Sequence, residues 1–414
     1  MSTSQSYLSQ PSTQPNSNDG NASLVFIERG TAAYRRAGWA LFLAGFSSFS
    51  LIYCVQPLLP VFAKEFAVSA AQSSLALSYT TGVLAFAIVL AGAFSQSLGR
   101  KGLMCVSMLL TAGLCVLSSL MTDWSAFLIL RALMGLLLGG VPAVAMAWLA
   151  EEIDPAHLGK SMGLYVGGTA FGAMMGRVGV GVLTEFVSWR MAMGTLGVLC
   201  LLTTLGFCWL LPPSRNFVRQ SGFSLGIHLR HWGKHLANMK LLALYGVAFL
   251  LPSVFTTLFN YATFHLAGPI YQLSPFQSSL LFLAFAFGMV SSTVSGALAD
   301  RFGRIPMIQL GFVCLLLGSA ATIWQPLWLL ASGISLVAIG FFIGHSAASG
   351  AVGRLAPQAK GHATSLYLLF YYLGNSVTGT LGGWFWHLGD WSGVVVLTTV
   401  IAMIGLIFSL FLRE

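Results

Sequence analysis

Apolar residues run through this chain in long continuous blocks, separated by short polar stretches. A membrane-crossing helix needs roughly 20 mostly apolar residues. Blocks of that size fall at 37–59, 74–95, 103–121, 124–149, 161–183 and 190–211, and again at 241–265, 277–298, 306–323, 327–349, 363–385 and 392–412. Strands of a transmembrane barrel alternate apolar and polar residues with a period of two, and these blocks do not. The pattern predicts an all-α polytopic membrane protein with about 12 transmembrane helices.

Composition agrees. Of 414 residues only 7% are charged, against about 25% in a soluble domain. So few charges cannot cover the surface of a soluble enzyme, a nucleic-acid reader or a secreted disulfide scaffold of this length. The cysteines Cys54, Cys105, Cys115, Cys200, Cys208 and Cys314 all lie inside apolar blocks, none at metal-ligand spacing, and read as packed small hydrophobes. No metal and no cofactor is expected.

Charge changes the picture through its placement. With the N-terminus inside, 16 of the 20 Lys and Arg residues fall in inner loops and only Lys64 and Arg190 in outer ones. That asymmetry predicts both termini in the cytoplasm. Residues 1–22 are mostly Ser, Thr, Gln, Asn, Pro and Gly, which bury too little to fold. They lack the apolar core of a signal peptide. A disordered tail is therefore expected at 1–30, a first helical bundle at 31–211, a cytoplasmic loop at 212–240 and a second bundle at 241–414.

Internal repetition supports two pseudo-symmetric six-helix halves. The segment Gly92 to Lys101 recurs as Gly296 to Ile305, offset by 204, and Pro155, Leu164, Tyr165 and Trp189 recur as Pro357, Leu366, Tyr367 and Trp391, offset by 202. Parallel repeats of this kind, related by an axis normal to the membrane, build one large class of secondary transporter.

At these motifs the chain resembles the major facilitator superfamily over 30–414. Asp300, Arg301, Gly303 and Arg304 match its loop signature between the second and third helices of a half. The first copy keeps Gly99, Arg100 and Lys101 but has Gln96 in place of Asp. Arg131 to Gly135 resembles the fourth-helix Arg motif, with Met134 for the usual Gln. Gly163, Gly172, Gly176 and Gly181 keep part of the antiporter glycine pattern, which departs at Arg177 and Val180. Tyr-Cys-Val-Gln-Pro at 53–57 and Tyr-Tyr-Leu-Gly at 371–374 further resemble a YnfM-like branch of bacterial inner-membrane carriers, usually placed among drug or sugar efflux proteins. The resemblance implies alternating access, with the second loop copy as a gating latch at the cytoplasmic face and the first, lacking the acid, as a weaker one.

Two cations lie inside predicted helices, and intramembrane charges are expensive and usually functional. Arg131 reads as a cavity cation or as a side chain snorkelling outward. Arg177 reads as a substrate-binding cation, an outer-gate lock or a tether to backbone carbonyls. All eleven acidic residues fall at helix ends or in loops. Proton coupling, if carried by a side chain, then falls to His345, which has the right unperturbed range but also suits a packed helix interface, or to Asp123 at the outer mouth. Tyr53, Gln56, Asn260, Tyr261, Tyr371, Tyr372 and Asn375 are candidate cavity residues.

Two motifs are set aside. Gly159-Lys160-Ser161 resembles the end of a phosphate loop, but Asp154 stands where the first Gly belongs, so no ATP site is expected. His228, His231 and His235 share one helical face amid Arg230, Trp232 and Lys234, and read as a basic interfacial helix rather than a metal site. The reading is not an enzyme but a secondary carrier of small organic molecules. Its partners are a small-molecule substrate, membrane lipid and protons as coupling ion, with no nucleic acid. Proton-coupled efflux is one form; an organic-anion or sugar carrier using Arg131 and Arg177 is the other.

Overall fold

The computed structural model describes residues 26–217, 225–357 and 359–412. Its helices are α1 (Ala32–Tyr53), α2 (Leu59–Glu65), α3 (Ala70–Leu98), α4 (Arg100–Ser119), α5 (Trp124–Leu138), α6 (Pro142–Glu152), α7 (Leu158–Leu183), α8 (Trp189–Leu210), α9 (Leu225–Ala237), α10 (Met239–Ala267), α11 (Pro275–Ser279), α12 (Ala284–Phe302), α13 (Arg304–Ala321), α14 (Leu327–Leu355) and α15 (Lys360–Leu410). Pairs such as α1 with α2 and α5 with α6 form single crossings interrupted near Pro57 and Pro142. Among the described residues, eleven helical stretches are long and apolar enough to span a membrane. The last has 51 residues, roughly 76 Å at 1.5 Å per residue, far more than one crossing. It breaks at Gly389 and Asp390, whose backbones are non-helical, so the expected twelve crossings are present.

Helices start where local chemistry caps them. Ser69 and Gln72 form a reciprocal capping box at the head of α3, and Ser274 and Gln277 form the same box at the head of α11. The tight turns before α4 and α13 also repeat: Gly99 has φ +88° and Gly303 φ +93°, a left-handed backbone that glycine adopts without a Cβ penalty. Ile27, within the stretch expected to be disordered through residue 30, is instead buried and paired: its N–H donates to the Glu152 carbonyl at 2.8 Å. An apolar side chain ties that end of the tail down. Residues 1–25 lie outside the described residues.

The helix ends with Arg100, Lys101, Lys160, Lys240, Arg304 and Arg354 form a basic face. The opposite face has Lys64 and Arg190, the latter bridged to Glu65 at 3.1 Å. Within the first half, α7 packs on α1 through glycines one turn apart. A Cβ at Gly168, Gly172 or Gly176 would lie 2.5 Å from the Phe42 carbonyl oxygen, 2.3 Å from that of Phe46 or 2.6 Å from Ser50 Cα. Backbone contact this close is how helices associate where lipid supplies no hydrophobic force between them. Gly163 does not belong to this seam: a Cβ there meets nothing within 4 Å. Helical rotation takes it off the α1 side, and Gly168 holds the place. The second half repeats the device, with Gly374 against the Phe249 carbonyl of α10.

Hydrogen bonds joining the two halves lie toward the opposite face. Gln56 Nε2 donates to Asn260 Oδ1 at 2.7 Å, Ser376 Oγ to the Ser78 carbonyl at 2.7 Å, Thr380 Oγ1 to Ser78 Oγ at 2.8 Å and Ser274 Oγ to Glu185 at 3.1 Å. Gly181 of α7 sits directly on Ser279 of the other half, whereas Gly163 and Gly167, nearer the basic face, border open space. Among the described residues, these hydrogen bonds pin the halves together toward the end opposite the basic face.

Arg131 is fully buried within the first half. Its guanidinium donates to the carbonyls of Ala76 at 2.9 Å, Leu51 at 3.0 Å and Ile52 at 2.6 Å, with Met134 Sδ at 3.7 Å. Leu51 and Ile52 lie in the last turn of α1, where the helix ends and its carbonyls lose intrahelical partners. Arg131 supplies the missing donors and ties α1, α3 and α5 together.

Two stability tests follow. Gly172→Ala is expected to lower the melting temperature in detergent, since overpacking costs about 1–3 kcal/mol, while Gly167→Ala leaves it within error; equal effects would refute the seam. Arg131→Gln leaves at least one carbonyl without a donor, at about 1–3 kcal/mol each, and should reduce the yield of monodisperse protein. Unchanged yield and melting would remove Arg131 from the fold's supports.

Candidate functional site

The second intramembrane cation lies at the seam between halves. Arg177 is 1% exposed. Its Nε donates to Gln56 Oε1 at 2.5 Å, and its Nη1 to the Ala173 carbonyl one turn back at 2.5 Å. Gln56 passes the contact on to Asn260, so the arginine of α7 reaches α10 of the other half through one amide. The charge is otherwise met by aromatic faces. Its Cζ lies 4.0 Å from the Tyr53 ring centroid, 4.6 Å from Phe285 and 5.2 Å from Phe282. Such cation–π contacts strengthen when desolvated. None of the ion pairs among the described residues includes Arg177 or Arg131.

These rings lead into an aromatic circuit of the second half. Phe285 meets Phe255 at 5.2 Å, Phe255 stacks on Phe341 at 4.1 Å, Phe341 stacks on His345 at 5.6 Å, and the Tyr371 ring lies 5.0 Å from that of His345. His345 Nδ1 is 2.9 Å from the Tyr367 hydroxyl. Beside this circuit Asn375 Nδ2 donates to the Tyr53 hydroxyl at 3.4 Å. Asn260 Nδ2 and Asn375 Oδ1 are buried without a hydrogen-bond partner among the described residues. Native structures rarely leave such atoms unmet, so a water or ligand atom is the natural complement.

Of the candidates named from sequence, Tyr53, Gln56, Arg177, Asn260, His345, Tyr371 and Asn375 gather here. Tyr372 stacks edge-on against Tyr371. Arg131 stands apart, saturated by carbonyls. Tyr261 is also apart: its hydroxyl donates to the Gly379 carbonyl at 2.9 Å, and it packs on Gly382. Phe255, Phe282, Phe285, Phe341 and Tyr367 were not legible as site residues, because Phe fills lipid-facing and core positions throughout a chain with 30 of them.

At the basic face each half carries its own clamp. Arg100 makes a two-pronged contact with Glu151, Nη2 at 2.6 Å and Nε at 3.2 Å, while Lys101 Nζ donates to the Leu211 carbonyl at 2.5 Å. In the second half Asp300 accepts from Arg354 at 3.1 Å and lies 3.8 Å from Arg304. The polarity is exchanged: the acid of the first clamp is on the fourth crossing, that of the second on the eighth. Arg301 turns away and lies over the Phe302 ring. The Gln96 side chain lies outside the described residues. Both clamps join helices within a half.

The central helix α9 brings His228 to His362 at 2.8 Å, with the His231 ring tilted against the same imidazole at 5.0 Å. Among the described residues no group of three or more His, Cys, Asp or Glu is placed to hold a metal ion.

The family model of the Major Facilitator Superfamily matches residues 41–344 and 242–414. The inner membrane transport protein YnfM of Escherichia coli (strain K12) is 41% identical over 386 residues, 92% of this chain and 91% of that protein. YybF of Bacillus subtilis (strain 168), an uncharacterized MFS-type transporter, is 41% identical over 391 residues, 94% of this chain and 96% of that one. Among solved structures the nucleoside transporter NupG superposes with TM-score 0.76 at 14% identity, covering 91% of this chain and all of that one, a likeness of fold. Twelve crossings in two repeats, the loop signatures and these matches agree: the chain belongs to the major facilitator superfamily and is a multi-pass membrane transporter of small molecules.

Proposed function

We propose that this transporter exports small planar organic compounds bearing an anionic or strongly accepting group, by alternating access, and that Arg177 is the recognition cation. The observation that carries the reading is the Arg177 site itself: one buried positive charge with no carboxylate partner, at the seam of two halves, ringed by aromatic faces and beside two unmet amide atoms. Aromatic walls favour a flat apolar body. A fixed cation in a low-dielectric site favours an acceptor or anion and repels a cation. The amides add a donor and an acceptor.

The positive-inside rule places the basic face, and with it both ends of the helical region, in the cytoplasm. The pinned end is then the outer one and this state faces inward. Rocking the halves to face outward breaks the Gln56–Asn260 bond and draws Phe282 and Phe285 away from Arg177. The recognition cation thus changes its surroundings with the state, which is what coupling substrate to conformation requires. The two clamps keep each half rigid as it moves. Resemblance to efflux carriers and the glycine seam of α7 support export. We assign proton coupling to His345, which stacks on Phe341 within the circuit and is hydrogen-bonded to Tyr367.

The test is transport in proteoliposomes under an imposed pH gradient, with aromatic compounds matched in shape but anionic, neutral or cationic. Anionic and accepting members should move, and Arg177→Gln should slow them about 10–100-fold, the loss of a charged hydrogen bond. Cation transport that survives Arg177→Gln would overturn the reading. His345→Gln should abolish the response to the pH gradient while substrate counterflow continues. A gradient response that persists would exclude His345 as the coupling group.

A further inference from the structure

Gln56 stands between the buried cation and the other half, and its chemistry leaves it one orientation. A guanidinium carries donors only, so Gln56 meets Arg177 Nε with its oxygen, at 2.5 Å. Its nitrogen is thereby turned to Asn260, whose Oδ1 it reaches at 2.7 Å. Asn260 is left with its Nδ2 against Gly379 of α15, where a Cβ would lie 3.2 Å away. The charge on Arg177 thus sets the polarity of two amides in series, the second of them in the other half. An amide oxygen bonded to a cation also polarises its own N–H groups and strengthens the bond on the far side.

The relay sits at a break in the backbone. Gln56 opens the short 3-10 helical turn Gln56–Leu58, followed directly by Pro57, at the interruption of the first crossing. The carbonyls just before it, Leu51 and Ile52, are held by Arg131, so the end of α1 is anchored independently of Gln56. The other hydrogen bonds described across the seam run from Ser376 and Thr380 to Ser78 and from Ser274 to Glu185. Among these bonds, that of Gln56 is the one made by a partner of Arg177.

We propose that Gln56 is an occupancy switch: an anionic group arriving at Arg177 takes the Nε donor from Gln56, and the displaced amide lets go of Asn260, so that substrate binding loosens the outer end. This rests on Arg177 being the recognition cation. An anion outcompetes the amide oxygen because opposite charges attract most strongly in a site without water, and a carboxylate takes two guanidinium donors at once. With its oxygen displaced, Gln56 loses both the orientation and the polarisation that hold its bond to Asn260. The ligand therefore binds better where that bond is already broken, and such differential affinity is what shifts a conformational equilibrium. The shift is bounded by one neutral hydrogen bond, about fivefold in population. Its direction suits export, since a substrate entering from the cytoplasm opens the outer end by its arrival.

The test uses the purified full chain in lipid nanodiscs, with naphthoate and its uncharged carboxamide as probes. Calorimetry reads affinity, and hydrogen–deuterium exchange reads the outer ends at α2 and α11. Naphthoate should raise exchange there, and the carboxamide should raise it less. Gln56→Leu should bind naphthoate about tenfold tighter, because the competitor for Arg177 is gone, and should show a raised exchange that naphthoate no longer changes. Gln56→Glu, which tethers an anion beside Arg177, should weaken naphthoate binding. Opposite signs from two substitutions at one residue exclude a folding defect as their cause. Thr380→Val, which removes another bond across the seam, should raise exchange yet keep the naphthoate response. Arg177-dependent binding with affinity and response unchanged in Gln56→Leu would overturn the switch and leave the recognition reading standing. Naphthoate that fails to bind, or binds Arg177→Gln equally well, would overturn the recognition reading and the switch with it.

Discussion

A guanidinium inside the hydrocarbon layer has no water to meet it, and its charge must be solvated by protein. This chain does so twice, by different means. Arg131 is met by two carbonyls in the last turn of α1 and one of α3, so its charge is consumed in holding three helices together. Arg177 is met by one carbonyl, one amide and three aromatic faces. Two of those faces, Phe282 and Phe285, belong to the other half. The solvation of Arg177 therefore depends on how the halves sit, and any movement between them changes the energy of that charge.

The remaining architecture supports this dependence. Glycine seams between α1 and α7 and between α10 and α15 make each half stiff, because backbones in direct contact leave little room to slide. The clamps at the basic face reinforce each half separately. The hydrogen bonds across the seam lie toward one face, beside close packing of α3 on α15 where Gly383 meets Ala71. Bonds of this kind exchange with water at little net cost, which suits a joint that opens and closes.

Much of the fold was legible in sequence because the bilayer imposes it. Hydrocarbon thickness sets helix length, so apolar blocks located all twelve crossings, including the break at Gly389 and Asp390 that one continuous helix conceals. The repeat was legible from the loop around Gly99 and Gly303, where only a left-handed turn fits. The Ser69 and Ser274 capping boxes carry the same signal, but Ser and Gln are too common in loops to single them out.

The site was legible only in part. Arg177, Gln56 and Asn260 stand out because polar side chains in apolar blocks are rare. The phenylalanines that surround Arg177 do not, because nothing local separates a ring facing a charge from one facing lipid. Nor could spacing tell that Arg131 would be met by carbonyls while Arg177 met aromatic rings; that depends on where α1 ends relative to α5. Gly163 fits the glycine pattern yet faces open space, since a pattern gives spacing but not the rotation of the helix.

The most direct measurement is the affinity of the purified protein for one aromatic scaffold carrying a carboxylate, a carboxamide or an aminomethyl group. Recognition by Arg177 predicts the order carboxylate, carboxamide, amine, and predicts that Arg177→Gln collapses the difference between the first two while the protein remains folded. Tightest binding of the amine, or an order unchanged by Arg177→Gln, would contradict it.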